Sequence, residues 1–506
     1  MAIRLGPMNL DEYMSHDATG LAELVAAKEV TPKELLALAR KRAQQVNGKL
    51  NAIVIPVDRE ADAQVKGDLS GPFAGVPFLI KDLSQEYKGY PTTCGSRALR
   101  NDVATENALV TQRFLDAGLV VFGKTATPEL GAKGITESKL WGPCRNPWDT
   151  RRTPGGSSGG SASAVAAGVV PAAGANDGGG SIRIPAGCNG LVGLKPSRGL
   201  TPYGPQTGEP MFGMAVHGVV ARTVRDNAGL MDAIIGRNQL ADFAGAMPSR
   251  KFVEVIKKKP RKLRIGFSAQ SAITAKPDPE AVKAVEATAQ LLTDLGHHVE
   301  EVKPPYDDKA LAETFLNIWF AQLAGQLADI KARTGAKDGD FESDTLAMAE
   351  IGRANGAVGA LQALAKVVEY THAMEAFYTE HDFFLTPTIA RKPVKIGELE
   401  TAAPLQVASR LVHRIHGGKA LLATGVIEQM IVDNLGWVPY TQMANMTGRP
   451  AINVPVYWTD DGLPLGVQFN GALGSDGALL QLAAQLEEAA PWVQRFPAEP
   501  KHHLAD

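Results

Sequence analysis

Cysteine is nearly missing from this 506-residue chain: Cys94, Cys144 and Cys188 are the only three, with no Cys-x-x-Cys spacing. So small and odd a number excludes a disulfide scaffold and a cysteine-rich zinc module, and it fits a reducing compartment. Net charge is also nearly missing, at −2, which removes the electrostatic case for nucleic acid or an anionic membrane as partner. The one basic run, Lys257 to Lys262, precedes an apolar stretch and reads as a solvated connection. No apolar run reaches the roughly eighteen residues needed to span a bilayer. The opening Met1 to Glu12 lacks a long apolar segment and carries acids early, unlike a secretory signal. A soluble, cytoplasmic protein is the expectation.

What is present is ordinary in bulk, with 44% hydrophobic and 21% charged residues, enough for a substantial core. Leu21, Leu24 and Val25 recur at helical spacing, and Thr31-Pro32-Lys33-Glu34 reads as a capped helix start. From about residue 73 the texture changes to short apolar runs and glycine turns. Phe78-Leu79-Ile80, Leu119 to Phe122 and Val169 to Ala173 read as strands, with helices near 107–117 and 161–167 between them. Leu263 to Phe267 opens the second half as a strand, and long helical patterns follow at 278–296, 309–334 and 342–381. Strands return at Ile452 to Val454 and Leu465 to Phe469, before a last helix at 476–489. The alternation argues for an α/β fold with a largely buried sheet. No repeat, linker or domain cut interrupts it, so residues 1–506 read as one domain.

The chemistry concentrates in two glycine–serine clusters. The first is Gly155-Gly156-Ser157-Ser158-Gly159-Gly160-Ser161; the second is Asp177-Gly178-Gly179-Gly180-Ser181-Ile182-Arg183. Glycine lets backbone N–H groups face open space and lets a substrate approach the main chain. A serine closing such a run can attack an acyl carbon while the amides hold the oxyanion. The bland alternative is a glycine-rich loop between strand and helix.

Three other patterns fail on context. Gly118 to Thr125 fits the P-loop expression, but Leu-Val-Val-Phe prefers a buried strand and Pro128 interrupts the helix a P-loop requires. Gly155-Gly156-Ser157-Ser158-Gly159 fits a nucleophile elbow, yet the preceding Arg145 to Pro154 is polar and proline-broken where that elbow needs a buried strand. His413 and His416 share helical spacing without a third ligand, and read as surface or core histidines. A serine nucleophile also needs a base. No histidine lies near either cluster in sequence, although one could approach in space. Two lysines, Lys81 and Lys124, end apolar strands, and burial would free the neutral amine of either. Spacing does not choose between them.

These segments closely resemble the amidase signature family of serine hydrolases. The likeness covers nearly the whole chain and is strongest from Phe73-Ala74-Gly75-Val76-Pro77 to Lys195-Pro196-Ser197-Arg198-Gly199, so that the signature core lies at about 70–230. It continues in Ala221-Arg222-Thr223-Val224-Arg225-Asp226, in Asn445 to Ala451 and in Asp461 to Gln468. The resemblance implies an amidase signature fold, a large mixed β-sheet core covered by helices on both faces. It also implies a Ser–cisSer–Lys triad. Lys81 matches the base in its Pro-x-x-x-Lys-Asp context, Ser157 the bridging serine and Ser181 the nucleophile, while Lys124 has no catalytic counterpart. The Gly156–Ser157 peptide is then expected to be cis. Amides of Gly178, Gly179, Gly180 and Ser181 would form the oxyanion hole, and Ser158, Asp177 and Arg183 would brace the loops. No cofactor or metal is implied.

One departure stands out. Many members carry Asp or Thr-x-Gly-Gly-Ser, whereas this chain has Asn176-Asp177-Gly178-Gly179-Gly180-Ser181. That start, with Trp141-Gly142-Pro143 and Arg145-Asn146-Pro147-Trp148, resembles the subgroup of 6-aminohexanoate cyclic dimer hydrolases, urethanases and aryl amidases. The expected reaction is hydrolysis of a neutral, apolar linear or cyclic amide, aryl amide or carbamate. Met211, Phe212 and Met214 are candidate pocket residues, with Trp319 and Phe320 behind them. A glutaminase subunit of a tRNA amidotransferase and a non-catalytic binding protein on the same fold are the alternatives. The expected partner is a small-molecule substrate, and homodimer formation is left open.

Overall fold

The computed structural model describes residues 7–237, 241, 243–274, 276–423 and 425–499; residues 1–6, on which the signal-peptide reading partly rests, lie outside them. Among the described residues, eleven strands join one mixed sheet. Their order across it is Ile53–Pro56, Val120–Thr125, Pro77–Lys81, Ala172–Asp177, Val216–Ala221, Val192–Lys195, Ala451–Val454, Val467–Gly471, Phe383–Pro387, Arg264–Phe267 and His298–Glu301. Pro77–Lys81 runs parallel to both of its neighbours. Lys81 and Asp177 therefore both arrive at carboxyl ends of adjacent parallel strands, the edge where open α/β sheets place their ligands.

Local chemistry accounts for many of these elements. The apolar runs at 78–80 and 119–122 mark strands Pro77–Lys81 and Val120–Thr125, which are buried at every position, as strands covered on both faces must be. The P-loop lookalike is thus an interior strand. Thr31 and Glu34 close a reciprocal capping box on helix Pro32–Leu50, with Pro32 in its first turn. The strand expected at Val169 to Ala173 begins later, at Ala172. Val169 and Val170 are buried in the turn before it, and Pro171 has no N–H with which to pair.

Helix Gly159–Ala166 shows what the first cluster's later glycines do. Its eight residues are all buried, and a Cβ on Gly160 would fall 2.4 Å from the Ala126 backbone nitrogen. These glycines permit close packing beneath the sheet edge. In the second half, helices Asp308–Thr334 and Ser343–Tyr378 form a long pair. Their buried faces build a second hydrophobic cluster, separate from the sheet core, that includes Met211, Phe315, Met348 and Met443. It forms one side of the cavity described next.

Candidate active site

Strand Pro77–Lys81 delivers a fully buried lysine. Its backbone N–H donates to Gln85 Oε1 at 2.7 Å, while Gln85 Nε2 donates to the Ala175 carbonyl at 3.1 Å. The end of this strand is thereby tied to its neighbour. Lys81 Nζ lies 2.7 Å from Ser157 Oγ and 2.7 Å from Asn176 Oδ1. Burial pushes the Lys81 ammonium down to about 7, against the upward pull of the Asp177 carboxylate. Lys124 goes elsewhere. It is buried against Asp82 Oδ1 at 3.3 Å and donates to Thr92 Oγ1 and the Pro91 carbonyl, a structural ion pair.

The two clusters meet. The Gly156–Ser157 peptide is cis. Ser158 links the segments: its N–H donates to the Ser181 carbonyl at 3.3 Å, and its hydroxyl bonds both the carbonyl and the N–H of Asn176. Ser157 and Ser181 line one cavity of about 1140 Å³. Among the described residues, no group hydrogen-bonds the Ser181 hydroxyl.

Asp177 and Arg183 bracket the Gly178–Ser181 turn. Arg183 Nε and Nη2 donate to the two Asp177 carboxylate oxygens at 3.0 Å each. The guanidinium also reaches the Thr441 carbonyl, Gln468 and Asn445. Burial alone would raise the Asp177 carboxyl, yet Arg183 and Asn445 hold it down at about 2. Asp177 is therefore an anion inside the protein. Arg183→Ala would leave it uncompensated, and a loss of about 3–5 kcal/mol is expected in urea denaturation. Arg183→Lys should recover only part, because an ammonium cannot reproduce the two-pronged contact.

The same carboxylate corrects one expectation. Gly180 N–H donates to Asp177 Oδ1 at 2.6 Å, so it is not free to meet an oxyanion. Gly180 instead supplies the turn, at φ +127°, where a Cβ would strike Thr441. Among the described residues, no group accepts from the amides of Gly178, Gly179 or Ser181.

Of the candidate pocket residues, Met211, Trp319 and Phe320 line the cavity. Phe212 turns outward, 49% exposed, and Met214 packs in the second hydrophobic cluster. Sequence reasoning passed over Phe315. A Cβ on Gly179 would fall 2.7 Å from its ring, and it stacks on Trp319 with centroids 6.3 Å apart. The signal was available: Phe315 and Trp319 are four residues apart on one helix and share a face. His413 and His416 lie 3.8 and 3.7 Å from Glu350. Among the described residues, no His, Cys, Asp and Glu group is arranged to hold a metal.

The fold and the buried lysine–serine site define a class of enzyme: the chain belongs to the amidase family, whose profile matches residues 34–480. It is an amide-cleaving hydrolase of the amidase signature type. Over 492 residues it is 35% identical to the 6-aminohexanoate-cyclic-dimer hydrolase of Pseudomonas sp. (strain NK87), covering 95% of this chain and 96% of that protein. It is 32% identical over 499 residues to an acylamidase of Rhodococcus erythropolis, with 95% and 97% covered. The solved structure of a 6-aminohexanoate cyclic dimer hydrolase complexed with substrate is similar at TM-score 0.88 and 33% identity, over 96% of this chain and 100% of that one.

Proposed function

We propose that the chain hydrolyses apolar linear or cyclic amides, aryl amides or carbamates through an acyl-enzyme on Ser181, with Ser157 as relay and Lys81 as base. The observation that carries this reading is the 2.7 Å contact between Lys81 Nζ and Ser157 Oγ, at a buried lysine beside a cavity that Ser181 also lines. Neutral Lys81 accepts the Ser157 proton as Ser157 takes the Ser181 proton. The Ser181 Oγ–carbon bond forms, and the amides of Gly178, Gly179 and Ser181 receive the oxyanion. The proton then returns through Ser157 to the leaving nitrogen as the C–N bond breaks. Water attacks the ester by the same relay and releases the acid.

The cavity favours an apolar substrate larger than glutamine. Its volume of about 1140 Å³ is that of a drug-sized pocket, and Phe315, Trp319, Met348, Ile351 and Met430 line it. A mixed panel tests the substrate class: an anilide, an aryl carbamate, the 6-aminohexanoate cyclic dimer and glutamine, with products read by mass spectrometry. Cleavage of any of the first three by wild type but not Ser181→Ala is the expected result. Turnover of glutamine alone would overturn the reading.

The base makes a pH prediction. Below about 7 Lys81 is protonated and cannot accept; above it the neutral amine accumulates. The acid limb of kcat/KM should therefore rise through neutrality. Glu129 is a second group near that value: burial pushes its carboxyl up to about 7, and it opens the turn whose Gly131 lies beside Ser157. Glu129→Gln should retain the limb and Lys81→Met should not. A flat wild-type profile from acid to alkaline pH would contradict a lysine base.

A further inference from the structure

The geometry points to Asn176 as a positioning residue that holds Lys81 with its lone pair toward Ser157. The inference rests on the proposed role of Lys81 as base. Asn176 directly precedes the Asp177–Ser181 turn, and nothing in the serine–lysine relay itself requires an amide there.

The amide has one workable orientation. Asn176 Nδ2 donates to the Leu83 carbonyl at 2.7 Å, so the other end, Oδ1, faces Lys81 Nζ at 2.7 Å. Turning the amide over would set Oδ1 against the Leu83 carbonyl and Nδ2 against an amine that must donate. Asn176 is therefore an acceptor only on the lysine side. A neutral amine has two N–H donors and one lone pair. With one N–H committed to Asn176, the lone pair is available to the Ser157 hydroxyl, whose own lone pairs are then free to receive a proton from Ser181. After transfer, the ammonium keeps the same acceptor. A carbonyl oxygen stabilises that cation through a dipole and without a full negative charge, so it does not lock the lysine in its protonated form.

The charged and titratable neighbours leave this role to Asn176. Asp177, on the same strand, is ionised and bound by Arg183, and Lys195 acts on it as well. His217 lies opposite Asn176 on the next strand, and burial pushes it down to about 3, so it is neutral. Burial pushes the Cys94 thiol far up, so it too is neutral. Glu129, whose carboxyl accepts from Ser96 Oγ and the Glu342 N–H, is present in wild type and in every variant below, so a limb that moves with residue 176 is not its own.

Two substitutions separate positioning from packing. Asn176→Asp places a carboxylate beside the ammonium and should move the acid limb of kcat/KM up by about one to three pH units, with recovery at alkaline pH. Asn176→Leu removes the acceptor at similar volume and should lower kcat about a hundredfold, with KM nearly unchanged. An anilide serves as substrate, and the pH dependence of Ser181 labelling by an aryl phosphonate, read as intact mass, gives the same limb for variants too slow to turn over. Circular dichroism and thermal melting check that each variant is folded. An Asn176→Asp limb that stays in place, or an Asn176→Leu variant with wild-type kcat, overturns the inference. Lys81→Met, run alongside, keeps the two readings apart: undiminished anilide turnover by that variant overturns the lysine base itself.

Discussion

Ser181→Ala is expected to abolish amide turnover, by on the order of 10⁶-fold, while leaving the fold intact. The large factor follows from removing a nucleophile that cannot be replaced in place. The mild structural effect follows from what Ser181 does in the resting protein. Its carbonyl accepts from Ser158 N–H, and that contact survives the substitution. Among the described residues its hydroxyl has no hydrogen bond to lose. Thermal unfolding should therefore match wild type, whereas product formation should fall to within about 10³–10⁴-fold of the uncatalysed rate. Burst kinetics with a p-nitrophenyl ester give an independent reading, with a burst in wild type and none in the variant. Substantial anilide turnover by Ser181→Ala would place the nucleophile elsewhere.

Lys81→Met is expected to give the second largest loss, and an uneven one. For an anilide the fall should be about 10³-fold or more, because the lysine both takes the Ser181 proton through Ser157 and returns it to the leaving nitrogen. For a p-nitrophenyl ester the loss should be smaller by at least about tenfold, since p-nitrophenolate leaves without a proton. Methionine suits the site physically. It keeps the apolar stem of the lysine and drops only the terminal amine, in a position where burial already disfavours charge. The test is the ratio of the two rate losses in one preparation, which is insensitive to partial misfolding. Equal losses on ester and anilide would remove leaving-group protonation from the role of Lys81.

How much was legible in the sequence divides by distance along the chain. Helix Asp308–Thr334 was readable because its ends are local: Asp307 caps the first turn and Gly335 closes the last at φ +73°. The buried strands Pro77–Lys81 and Val120–Thr125 were readable from the short apolar runs at 78–80 and 119–122. The start of Ala172–Asp177 was displaced because Val169 and Val170 have strand-like chemistry but sit in a turn ahead of Pro171. The site was legible as residue types and illegible as contacts. Asn176 meets Lys81 across 95 positions, and Arg183 meets Thr441 across 258. Neither pairing leaves a local pattern. The engagement of Gly180 N–H by Asp177 was missed for a different reason. Three consecutive glycines look equivalent in sequence, and only the placement of the carboxylate distinguishes the one that is occupied.

The most direct test of the account is the location of the covalent intermediate. Wild-type protein would be incubated with an O-aryl carbamate, then quenched in acid, digested and sequenced by mass spectrometry. The phenol of such a carbamate leaves by C–O cleavage as the Ser181 Oγ–carbon bond forms, and the carbamoyl-enzyme hydrolyses slowly. The expected result is a carbamoyl mass on Ser181, with Ser157 unmodified and with no adduct on the Ser181→Ala protein. An adduct on Ser157 or another side chain, or full carbamate turnover by Ser181→Ala, would contradict an acyl-enzyme carried by Ser181.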